Sequence, residues 1–131
     1  MTPLYHYDRL YVAPSQVCDG LGVFASALIA EGELILAERV IFVPVAEVTS
    51  PSLLFDEYSF AWGEDEDAAI PVGISMLINH AAEEQANVVW RDTNEVIEWI
   101  ALRDIGPGEE LLHNYNGRGN AEPRAFPDPQ R

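Results

Sequence analysis

Three short constellations in this 131-residue sequence combine residue types and spacings that suit chemistry. The first is Asp19-Gly20-Leu21-Gly22, followed by Val23-Phe24-Ala25. Two glycines one residue apart let backbone amides and carbonyls come close to a ligand. The run formally satisfies the dinucleotide fingerprint G-x-G-x-x-G/A, with Glu38 near the place of a ribose-binding acid. That fingerprint must open a helix, whereas Val23-Phe24 is β-like and Gly32 interrupts the next turns, so a dinucleotide site is rejected. An Asp-Gly hairpin turn without a ligand stays open as the plain structural alternative. The second constellation is Asn79-His80, placed before Asn87. A lone histidine beside a helix end is more often a satisfied structural group than a base or ligand. Glu83 and Glu84 match no helical His/Glu ligand spacing, so no metal site is read here. The third is the run Ile97 to Tyr115, in which Gly108-Glu109-Glu110-Leu111 precedes the tyrosine. Taken alone, Tyr115 is a packing residue at a strand end. Cys18 is far in sequence from His80 and His113, and no serine sits in a nucleophile elbow, so no nucleophile relay is expected.

Short elements must position these groups. Segments rich in β-branched and aromatic residues, punctuated by Gly, Pro and Asp/Asn, predict a mainly β fold with little helix. Strands are predicted at Leu10–Ala13, Val23–Ala25 and Tyr58–Trp62. The apolar run Leu34 to Val45 is broken by Glu38-Arg39 and Pro44, and 63–67 reads as an acidic loop. Ile74, Leu77 and Ile78 have helical spacing, which predicts one short helical turn before Asn79. Asn87–Trp90 and Val96–Leu102 read as a hairpin joined through 91–95, and Gly106-Pro107-Gly108 as a sharp break before a strand Glu110–Tyr115.

Read in order, the Gly-x-Gly turn with Val-Phe-Ala, then Asn-His plus a nearby Asn, then Ala101-Leu102-Arg103-Asp104-Ile105 leading through Gly108-Glu109-Glu110-Leu111 to Tyr115, resembles the SET domain of protein lysine methyltransferases. The resemblance covers about Tyr11 to Gly117 and looks like a minimal bacterial or viral type. It implies a SET fold (β-clip) of several small twisted sheets with a C-terminal pseudoknot. Residues 1–117 would form the domain, and 118–131 a tail packing near the cofactor site, with Phe126 as a candidate cover. The implied cofactor is S-adenosylmethionine, with S-adenosylhomocysteine as product, lying against Asp19, Gly20, Leu21 and Gly22 and the pair Asn79 and His80, the last mainly through its main chain. Tyr115 matches the catalytic tyrosine. The carbonyls of Ser75 and Ile78 match oxygens that line the methyl-transfer channel, and Tyr58 matches an aromatic wall. The chain departs from the pattern at Asn79-His80-Ala81-Ala82 and Ala86-Asn87, in having no tyrosine within Leu34 to Val45, and in lacking a cysteine-rich segment. Two alternatives stay open: a catalytically degenerate SET-like module that binds cofactor or a basic partner, and a β-rich interaction domain.

Composition narrows the partners. The chain has 22 Asp+Glu against 7 Lys+Arg, a formal net charge of −15. All the basic residues are arginine, so chemistries that need a lysine of the enzyme's own, such as Schiff-base formation or a P-loop, are excluded. The acidic excess argues against direct binding of nucleic acid or an anionic membrane and favours a basic, lysine-containing protein or peptide. With a single cysteine, no intrachain disulfide can form. No apolar run approaches the roughly 20 residues that span a bilayer. Met1 to Leu10 carries Asp8 and no continuous apolar stretch, so no secretory signal is read and cytoplasm is the expected compartment, with secretion into a host without a cleaved signal left open. A homodimer is left open as well.

Overall fold

The computed structural model describes residues 8–43, 60–62, 67–93 and 95–115. Tyr58 and the tail 118–131 lie outside the described residues, so the structure gives no placement for the aromatic wall or the cover expected of them.

Three small sheets make up the fold. Strands β1 (Leu10–Pro14) and β2 (Leu21–Ala25) form an antiparallel hairpin around the 15–20 turn, closed by the Ser15 N–H donating to Gly20 O at 2.9 Å. The largest sheet has the order β4-β5-β3-β8-β7, built from β3 (Leu34–Val43), β4 (Phe60–Trp62), β5 (Asp67–Pro71), β7 (Val88–Thr93) and β8 (Val96–Ala101). The predicted hairpin across 91–95 is present as β7 and β8. The third sheet is a two-residue parallel pair of β6 (Asn79–His80) and β9 (Leu112–His113).

Two local expectations are corrected. Glu38-Arg39 does not interrupt β3, which runs unbroken through both residues. Successive strand residues face opposite sides, so Glu38 turns inward while Arg39 stays exposed and pairs with Glu95. Strand β5 begins at Asp67, where the acidic run suggested loop. Its hydrogen bonds come from β3 and β4, which a local reading cannot supply.

The core gathers Val23, Ile29, Ile78, Val88, Ile97, Trp99, Ile105 and Leu111, all essentially inaccessible to solvent. Leu111 belongs to a C-terminal segment held on both sides by chain distant in sequence. On one side, Leu111 N donates to Val23 O at 2.7 Å and Ala25 N to Glu109 O at 2.9 Å. On the other, Asn87 N donates to Leu112 O at 2.9 Å and Ala81 N to His113 O at 3.0 Å. The buried Asn87 side chain locks this seam, donating through Nδ2 to Glu110 O at 2.9 Å and accepting from Leu112 N through Oδ1 at 2.8 Å. The 109–113 segment is thus laced between the β1–β2 hairpin and the 79–87 stretch, as the expected pseudoknot requires.

Candidate active site

The lacing brings the three constellations of the sequence together. Asn79, at the start of β6, reaches the glycine turn: its Nδ2 donates to Leu21 O at 2.9 Å and to Glu110 Oε2 at 3.1 Å. Glu110, only 4% exposed, also accepts from Ser15 Oγ at 2.8 Å and from the Gln16 amide at 2.8 Å. One buried carboxylate therefore ties the β1–β2 turn to Asn79. Gly22 makes room for it, since a Cβ there would lie 2.2 Å from Glu110 Oε2. Gly20 has no such neighbour, a Cβ meeting only Cys18 Sγ at 3.8 Å.

A second cluster gathers around Tyr115, at the residues on either side of Asn79. Ile74–Leu77 form a short 3-10 turn, in the place where a helical turn was predicted. Ile78 N donates to Ser75 O at 3.2 Å, closing the turn, and the buried Ile78 begins the extended stretch into β6. The Tyr115 hydroxyl donates to Ile78 O at 3.3 Å. The Tyr115 amide donates to His80 Nδ1 at 3.0 Å, and the tyrosine ring packs between His80 and His113, with ring centroids 5.1 and 4.6 Å away. The His80 ring thus holds the backbone of Tyr115, which is more than the main-chain role expected of that histidine.

Each residue singled out in the sequence takes a definite place. Asp19, Gly20 and Leu21 lie on the exposed turn, Gly22 is buried under it, Asn79 is half-buried and His80 exposed. Ser75 O accepts a bond within its own turn, whereas Ile78 O faces the phenol. The structure gives buried roles that the sequence did not assign to Glu110 beneath the glycine turn, to Ser15 bound to it, and to Glu38, which the sequence offered only as the acid of the rejected dinucleotide fingerprint. The Glu38 carboxylate, 2% exposed, accepts from the Ile74 amide at 2.8 Å, from the Ser75 amide at 2.9 Å and from the Ser75 hydroxyl.

These residues fit S-adenosylmethionine in their chemistry. The exposed turn offers backbone groups without bulky side chains at Gly20, the Asn79 amide stands beside it, and a buried carboxylate below favours a cationic ligand.

Sheets of this order, a laced 109–113 segment, and a tyrosine set against a carbonyl beside an Asn-His pair define a SET-type β fold. A profile of the SET domain family matches residues 20–116, and the chain belongs to that family. No curated protein sequence matches it. Among solved structures, the chain is similar to a Plasmodium falciparum protein classed as a histone methyltransferase, at 24% identity and a TM-score of 0.66, over 82% of this chain and 92% of that one. It is also similar to the methyltransferase domain of human PR domain-containing protein 2, at 23% identity and a TM-score of 0.60, over 88% and 82% of the two chains. At these identities the likenesses establish the fold, and membership of the family supports a methyltransferase.

Proposed function

We propose that this protein is an S-adenosylmethionine-dependent methyltransferase that alkylates the lysine ε-amine of a basic protein or peptide. The observation that carries the reading is the Tyr115 hydroxyl 3.3 Å from Ile78 O, directly beside the Asn79-His80 pair that reaches the glycine turn. When bound, S-adenosylmethionine supplies an electrophilic methyl group on a sulfonium sulfur. The turn 19–22 with Asn79 would hold it, and the phenol and the Ile78 carbonyl would receive the amine. Protein groups then have mainly to align two reactants, a task that calls for rigid placement more than for a strong base. A lysine amine ordinarily keeps its proton to a pKa near 10.4, and a dry channel disfavours that charged form. The aromatic face of Tyr115 suits the alkylated, cationic product.

The acidic surface supports a lysine-rich partner, and the reading includes neither nucleic acid nor membrane binding. Among the described residues no helix is long and apolar enough to cross a membrane. Cytoplasm is the proposed compartment.

The test is transfer of a radiolabelled methyl group to basic peptides by the wild type and by Tyr115→Phe. We expect transfer by the wild type and a loss of about 100-fold in the variant, with cofactor affinity by calorimetry unchanged. Full activity in Tyr115→Phe would sink the assignment. Cofactor binding without transfer by the wild type would favour the degenerate module.

A further inference from the structure

A buried polar network runs from Glu38 through Ser75 and Trp99 toward the contact of the phenol with the Ile78 carbonyl. Glu38 projects from β3 into a space left by Gly73, whose φ of 141° suits glycine and where a Cβ would fall 1.8 Å from Glu38 Oε2. Its two oxygens bind the Ile74 and Ser75 amides and the Ser75 hydroxyl, so the start of the 74–77 turn is pinned by charge-assisted bonds. The far end of that turn presents Ile78 O to Tyr115. The Ser75 hydroxyl also accepts from Trp99 Nε1 at 2.8 Å. Trp99 packs edge-on against His113 at 4.9 Å, and His113 packs against Tyr115. The path from Glu38 therefore reaches the Ile78 carbonyl along the backbone and returns through Ser75, Trp99 and His113 to the tyrosine ring.

We propose that Glu38 is a positioning residue for methyl transfer, acting through Ser75 and Trp99 to fix both the Ile78 carbonyl and the Tyr115 ring. The proposal rests on the methyltransferase reading for its kinetic consequence only. Of the proposed cofactor-binding groups, the glycine turn and the Asn79 side chain are tied to Glu110 and not to this network, so a defect in the network is expected to spare cofactor affinity.

The deciding variant is Glu38→Gln. A carboxamide offers one acceptor oxygen where the site has two amide donors and a hydroxyl, so an NH2 group must face a backbone N–H, and the turn shifts. Displacements near 1 Å at reacting groups cost up to about 100-fold in rate. We expect kcat to fall between about 10- and 100-fold, with the calorimetric Kd for S-adenosylmethionine unchanged. Ser75→Ala, which removes one hydroxyl and leaves the backbone bonds to Glu38, is expected to fold and to show a smaller fall in kcat with the same unchanged Kd. Nuclear magnetic resonance supplies a readout independent of turnover. In the cofactor-free variants the Ile78 carbonyl carbon and the Tyr115 ring resonances should move together with those of Ser75 and Trp99. If Glu38→Gln does not fold, Ser75→Ala decides by the same readouts. The proposal is overturned if resonance changes stop at residues 73–76 while Tyr115 is unmoved, or if kcat and cofactor affinity fall in parallel. A wild type that transfers no methyl group would count against the function, while the resonance measurement would still judge the network.

Discussion

Gly22→Ala is the sharpest test of how the proposed cofactor half of the site is built. The new methyl carbon would sit 2.2 Å from Glu110 Oε2, 2.9 Å from its Cδ and 3.4 Å from Asn79 Nδ2. No real Cβ tolerates the first of these, so the carboxylate must withdraw by about 1 Å. It cannot do so while keeping its bonds to Ser15 Oγ, the Gln16 amide and Asn79 Nδ2, which are already at 2.8 to 3.1 Å. Hydrogen bonds to a charged group contribute about 1.5–3 kcal/mol each. Losing two of the three costs about 3 kcal/mol or more, a fall in Tm of about 10 °C for a domain of this size. Asn79 is also released from Glu110, so affinity for S-adenosylmethionine should drop by about tenfold, from roughly 1.4 kcal/mol of lost preorganisation. Gly20→Ala is the control, because its Cβ meets only Cys18 Sγ at an ordinary 3.8 Å. The assays are thermal unfolding by circular dichroism and calorimetric titration with S-adenosylmethionine. A Gly22→Ala protein that melts within about 2 °C of the wild type and binds cofactor equally well would refute the reasoning. So would a Gly20→Ala protein that falls as far.

Three further outcomes are expected. His80→Asn should retain more methyl transfer than His80→Ala, because an Asn carbonyl oxygen can stand where Nδ1 accepts the Tyr115 amide; equal loss in both variants would mean that this bond does not place the tyrosine. The Glu33 carboxyl is held below the ordinary glutamate value first by the Ala30 amide and then by Arg9, so Arg9→Ala should raise its titration midpoint only part of the way when followed by carboxyl-carbon resonance. Because that depressed value favours the ionised form in the folded state, the small stabilisation it gives is present above the unfolded-state pKa and disappears as pH falls through the folded one. Methylation of a basic peptide should slow as salt rises if the acidic surface steers substrate, and a rate indifferent to salt would leave the charge with solubility alone.

The candidate site was legible in the sequence where residue type and order carried the information. Gly20 and Gly22, Asn79 and His80, and Tyr115 each had a bland local reading, and only their sequence order pointed to one place. What brings Asn79 to Leu21 is the pairing of β6 with β9, a contact between stretches more than 30 residues apart that no local periodicity encodes. The two buried glutamates were not legible, because a charged residue is read by default as a surface group. For Glu38 a signal existed: Leu36, Glu38 and Val40 alternate along one strand and share its inward face. Reading Glu38-Arg39 as a break hid that alternation. For Glu110 there was none, since Glu110 and Leu111 are adjacent and both buried in an irregular segment where neither strand nor helix periodicity applies.

The two glutamates also share a chemical feature that bears on the proposed reaction. Among the described residues each is held by neutral donors: amides, a hydroxyl and a carboxamide. The described arginines pair elsewhere on the surface, Arg9 with Glu33, Arg39 with Glu95, Arg91 with Glu98 and Arg103 with Glu109. In the proposed reaction, a cation beside Glu38 or Glu110 would oppose the approach of a sulfonium and a protonated amine. A carboxylate held by neutral donors would instead favour binding of both cationic reactants. The same charge would oppose the next requirement, since a nearby anion stabilises the protonated lysine and only the neutral amine can attack. Exclusion of water around the amine would favour loss of that proton. Rigid placement of the phenol and carbonyl serves this end, because two fixed oxygens replace water's hydrogen bonds without its freedom to solvate the charge.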